Sequence, residues 1–98
     1  MSPIGMKIIL PMARKYIWWK TPDEAARFPQ RVIAQVMNMG DYADVQALAE
    51  QVGDAVLVDV LTHAQAGEFN PRSWFYWHYR LGLASLGKVP AMPSRSVA

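Results

Sequence analysis

The feature that most constrains this chain is its punctuation. Proline, glycine and short capping side chains recur every few helical turns from residue 21 to residue 82, and they cut the sequence into pieces of helical length. Thr21-Pro22-Asp23-Glu24 supplies a capping hydroxyl, a proline at the first helical position and a glutamate three residues after the cap, the pattern of a capping box. Pro29 removes a backbone donor from any helix running through it, so the spacing predicts a break near Phe28 and a new start.

From Pro29, Val32, Ile33, Val36 and Met37 recur at helical spacing, and Gly40 follows as the residue expected to close the helix in the left-handed conformation. Asp41 then caps a segment with Val45, Leu48, Ala49 and Val52 on one side, closed by Gly53. Asp54 is expected to cap another, with Leu57, Val60, Leu61 and Ala64 inward and Gly67 as the stop. Asn70-Pro71 opens the last, through Trp74 and Trp77 to Gly82. Because the junctions near residues 40 and 53 are so short, consecutive helices must turn sharply and pack on their neighbours.

The expected fold is therefore all-α: a compact bundle of about five short helices forming one domain, residues 1–98, with its core at about 16–83. Lys7 to Leu10 reads as a short strand or as part of an extended arm over 1–15, and residues 88–98, with Pro90 and Pro93, as an extended or mobile tail.

Composition matters chiefly for what it excludes. A chain of 98 residues that is 52% hydrophobic has room for one core and is far from the composition of disordered proteins. There is no cysteine, hence no disulfide, no thiolate metal site and no cysteine nucleophile. No apolar run near the start is long enough for a signal peptide or a membrane span, so the chain reads as cytoplasmic with no membrane partner.

His63 and His78 lack partners at a metal-binding spacing, the serines sit in no nucleophile context, and the glycines fall at helix ends rather than in a phosphate loop. No convergent acid, base and nucleophile set emerges. The expectation is a non-enzymatic protein without cofactor or metal.

Charge is segregated along the chain. Residues 1–31 carry a net +4, residues 32–71 contain no lysine or arginine and carry −6, and residues 72–98 return to +4. Either the ends fold back beside the acidic middle, or Asp41, Asp44, Asp54 and Asp59 offer a face to a basic partner. Leu48, Ala49, Val52 and Gly53 have the spacing of a helix-turn-helix. The second helix of such a reader must face phosphates, yet residues 54–67 offer Asp54 and Asp59 and no cation. A nucleic-acid-binding regulator using the basic terminal segments remains the alternative reading.

The run Trp74-Phe75-Tyr76-Trp77-His78-Tyr79 places rings around most of a helix. On a helical wheel Trp74, Trp77, His78 and Leu81 share the inward side, while Tyr76, Tyr79 and Arg80 point elsewhere. With Arg72 these outward residues have the composition of a binding hot spot, and Tyr16, Trp18 and Trp19 make a second cluster.

Three segments resemble a group of small bacterial proteins encoded beside abortive-infection-type nucleotidyltransferase toxins. They are Tyr16-Ile17-Trp18-Trp19, the helix from Arg31 through Gly40-Asp41, and Asn70-Pro71-Arg72-Ser73-Trp74-Phe75-Tyr76-Trp77. The resemblance spans roughly residues 16–83. It implies an antitoxin-like role toward a nucleotidyltransferase partner, while leaving a homodimer open.

Overall fold

The computed structural model describes residues 6–85 and 87–93. It contains six helices and no strand among those residues: α1 (Met6–Tyr16), α2 (Pro22–Ala26), α3 (Pro29–Met39), α4 (Tyr42–Val52), α5 (Asp54–Thr62) and α6 (Pro71–Arg80). The all-helical class holds, with five helices longer than two turns plus the single-turn α2. No described helix is long and apolar enough to cross a membrane.

Capping chemistry sets most of the boundaries. The Glu24 N–H donates to Thr21 Oγ1 at 3.2 Å, the Asp44 N–H to Asp41 Oδ1 at 2.9 Å and the Ser73 N–H to Asn70 Oδ1 at 2.8 Å. Each bond satisfies a donor that the first helical turn leaves open. α2 ends at Ala26 and α3 starts at Pro29, so the break lies where proline requires it.

Three sequence expectations about helix bounds need correction. Residues 6–15, expected as arm or, over Lys7 to Leu10, as strand, belong to helix α1, and residues 1–5 of the expected arm lie outside the described residues. Ile9, Met12 and Ala13, at positions i, i+3 and i+4, are buried on one face, and Pro11, in the middle of the helix, is exposed. Asp54 does not cap α5: Gly53 is the capping position, with φ +81°, and Asp54 is the first helical residue. α5 also stops at Thr62 instead of running to Gly67, because His63 leaves the helical conformation and folds its Nδ1 back toward the Asp59 carbonyl at 2.9 Å. Residues 88–93, in the expected tail, carry no helix or strand. Val89 and Met92 pack on the core, and the Trp74 indole donates to the Pro90 carbonyl at 2.8 Å. The rest of the expected tail, 94–98, lies outside the described residues.

α3 is the hub, because it packs against each of the other five helices. Val32, Ile33, Ala34, Val36 and Met37 are all buried, so its apolar surface is broader than the stripe a helix shows to one neighbour. Leu48 from α4, Leu57 and Leu61 from α5 and Trp77 from α6 close around it without measurable exposure or nearly so.

Gly40 ends α3 by a different route from the one expected. Its backbone is extended, at φ −67° and ψ 149°, so it does not supply a left-handed residue. It supplies space. A Cβ on Gly40 would lie 2.5 Å from the Val36 carbonyl oxygen and 3.2 Å from Val45 Cγ2, where α4 folds back against α3. Gly40→Ala should therefore destabilise the fold by about 1–3 kcal/mol, the usual cost of overpacking. Urea unfolding monitored by circular dichroism checks this, and an unchanged or raised midpoint would refute the steric account.

Candidate groove at the α3–α4–α6 junction

The last turn of α3 is closed by side chains from α6. The Trp77 indole donates to the Met37 carbonyl at 2.8 Å and the Ser73 hydroxyl to the Asn38 carbonyl at 2.9 Å. In return Asn38 Oδ1 accepts the Asn70 N–H at 2.9 Å. These bonds satisfy carbonyls that a helix end leaves without partners, and they fix where α6 sits.

Beside this junction runs an open groove of about 490 Å³, within the usual size of binding clefts. Met39, Tyr42, Val45, Arg72, Tyr76 and Trp77 line it. Trp77 and Val45 are buried and form its floor, whereas Tyr42 is 75% exposed, Met39 65% and Tyr76 49%. Arg72 forms no ion pair or side-chain hydrogen bond among the described residues, which leaves a cation at the rim.

Arg72, Tyr76 and Arg80 share one row of α6 by their spacing of four residues. Arg80 is already engaged, however. Its guanidinium lies 4.9 Å from the Trp77 ring centroid and donates to Tyr76 Oη at 3.0 Å and Gln46 Oε1 at 2.6 Å, tying α6 to α4. It orients Tyr76 rather than reaching outward. Tyr79 lies off this row: it stacks on Phe75 at 6.5 Å, and its hydroxyl accepts a long 3.5 Å contact from the Gly87 N–H.

The acidic residues do not gather into one face. Asp41 and Asp44 start α4 and meet Lys15 of α1, whose Nζ lies 3.2 Å from Asp41 Oδ2 and 2.6 Å from Asp44 Oδ2. Tyr16 completes this corner by donating its hydroxyl to Asp44 Oδ2 at 2.6 Å and accepting the Asp41 N–H at 3.2 Å. Asp54 is exposed at the start of α5, and Asp59 lies 3.2 Å from His63 Nδ1. At this corner, then, the basic N-terminal segment folds back onto the acidic middle.

The sequence pattern singles out Arg72, Tyr76 and Arg80 but not Met39 or Tyr42. A signal was available. Met39 and Tyr42 flank Gly40-Asp41, and apolar residues on both sides of a sharp junction cannot all turn inward. α5 offers phosphates nothing, as Asp54 and Asp59 are exposed on a helix without lysine or arginine. Among the described residues no three histidine or acidic side chains converge in a way that could hold a metal ion.

The Lys15 and Tyr16 hydrogen bonds hold the Asp44 carboxyl below its ordinary pKa, outweighing partial desolvation. Lys15 is raised for the same reason, through its bonds to Asp44 and Asp41. A depressed carboxyl stabilises the fold above its unfolded pKa, and that contribution is lost as pH falls through the lower folded value. Lys15, charged in both states at acidic and neutral pH, adds no slope there. The urea midpoint should thus fall between pH 5 and pH 2, and Asp44→Asn should flatten that fall while lowering stability at pH 7. An identical acid slope in the variant would exclude this corner as its source.

No family model, no curated protein and no solved structure matches the chain.

Proposed function

We propose that this chain is a non-enzymatic protein-binding module that seats an apolar, carboxylate-bearing segment of a partner in the α3–α4–α6 groove. The observation carrying this reading is the exposure of Met39, Tyr42 and Tyr76 around a buried floor, with Arg72 at the rim. Exposed apolar surface rimmed by polar groups is the usual form of a protein contact, and tyrosine and arginine are preferred at its centre. The charge at the rim sets the partner's sign. Arg72 stands at the start of α6, where the helix dipole adds to its positive potential, so a carboxylate is the complementary group.

The finer identity follows the resemblance: an antitoxin whose partner is an abortive-infection-type nucleotidyltransferase. The three segments carrying that resemblance touch one another through Tyr16 to Asp41, Asn38 to Asn70 and Met37 to Trp77. They build the groove and its support as one unit, which favours a shared binding role over three separate ones.

Calorimetric titration of the co-expressed nucleotidyltransferase, with its activity followed in parallel, tests the proposal. Arg72→Glu and Tyr76→Ala should each weaken binding at least about tenfold, the scale of a hot-spot residue, and relieve inhibition in step, with helicity unchanged. Wild-type affinity in both variants would remove the groove from the interface, and failure of the wild type to bind would remove the antitoxin reading.

A further inference from the structure

A second concave surface lies at the opposite end of α3. Trp19, Lys20, Phe28, Arg31, Gln35 and Gln65 line a cleft of about 350 Å³. An adjoining depression of about 330 Å³ shares Phe28, Arg31, Gln65 and Glu68 with it and continues to His63, so the two form one trough. The aromatic side chains here do not serve the core. Trp19 is 56% exposed and Phe28 51%, and Trp18, which lines neither depression, is 78% exposed beside Trp19. Trp18 and Trp19 meet edge to face, with centroids 5.7 Å apart and planes at 88°, so the edge of one ring rests on a single face of the other. Arg31 holds its guanidinium 5.4 Å from the Phe28 ring centroid.

Three properties of the trough specify an occupant. Open ring faces suit flat aromatic groups. Lys20 and Arg31 suit anions, and they belong to the N-terminal segment whose net charge is +4. The side-chain amides of Gln35 and Gln65 suit the hydrogen-bonding edges of heterocycles. Two carboxylates share the trough: Glu68, whose Oε1 accepts the Gln65 N–H at 2.8 Å, and Asp59, which lines only the second depression, away from Trp19 and Lys20.

We infer that this trough binds single-stranded nucleic acid, with bases stacked on Trp19 and Phe28 and phosphates set against Lys20 and Arg31. Stacking platforms beside cations are how proteins hold single strands with little sequence preference. A duplex hides its base faces and cannot use the rings. An anionic membrane would leave the amides of Gln35 and Gln65 facing headgroups without purpose. The site is separate from the α3–α4–α6 groove and does not depend on the role proposed for it.

The test uses the full chain and octauridylate. Intrinsic tryptophan emission should be quenched on titration, since two of the four indoles are exposed and Trp74 and Trp77 are buried. Anisotropy of end-labelled octauridylate should report affinity that falls roughly tenfold between 50 and 200 mM salt, as expected for two or three phosphate contacts to a single strand. Trp19→Ala should bind at least about fivefold more weakly, the lower end of the loss of one stacked base, and Lys20→Glu should weaken binding as well. Both residues are exposed, so folding is preserved, and Arg72→Glu should bind as the wild type does. The inference is overturned by absence of binding at 50 mM salt, by an eight-base-pair duplex or anionic vesicles quenching as strongly, or by unchanged affinity in Trp19→Ala.

Discussion

A helix that ends inside a protein must find donors for its last carbonyls, and α3 ends against α6. Gly40 N–H serves Val36 at 2.7 Å, the Trp77 indole serves Met37 and the Ser73 hydroxyl serves Asn38. An unsatisfied buried carbonyl costs about 1–3 kcal/mol, so the α6 donors are demanded by the way α3 is buried. Because α3 touches every other helix, anchoring its end fixes the frame in which the remaining elements pack.

That anchoring decides which aromatic side chains are left outside. Once Trp77 turns its indole toward Met37, Trp74 and His78 follow it inward on the same face of α6, and the His78 ring lies 4.3 Å from that of Trp74. Phe75, Tyr76 and Tyr79 are then outward by helical geometry alone. Tyr76 finds Arg80 beside it and Tyr42 and Met39 across the junction, and the groove results. At the other end of α3, the turn between α1 and α2 carries Ile17 inward and leaves Trp18 and Trp19 in solvent.

Much of this was legible in the sequence, because capping is local chemistry. Thr21, Asp41 and Asn70 hold their expected roles, and the inward side of α6 is the one the helical wheel gives. The errors are also physically specific. For Gly40 the sequence suggests conformational freedom, whereas its absent side chain matters, and only the approach of Val45 reveals that. Helix α1 carries Pro11 in its interior and no acidic residue in its first turn, so only its burial against α2 and α3 identifies it as a helix. The reach of Lys15 to Asp41 and Asp44 spans over 25 residues, and charge segregation alone could not tell that neutralised corner from an acidic face offered to a partner. The groove was half visible: Arg72 and Tyr76 could be read from one helix, but Met39 and Tyr42 join them only through tertiary packing.

Trp77 acts as a structural donor to the end of α3, whereas Trp18 and Trp19 are surface rings. Hydrogen exchange of the four indole N–H groups, followed by NMR, separates these roles directly. The Trp77 indole should exchange only through global unfolding, as slowly as the most protected amides of α3. Trp74, tied to the irregular 88–93 segment, should exchange faster through local opening, and Trp18 and Trp19 should exchange at rates near those of free indole. Exchange of Trp77 as fast as Trp18 and Trp19 would contradict the account, because the end of α3 would then be held by something other than α6.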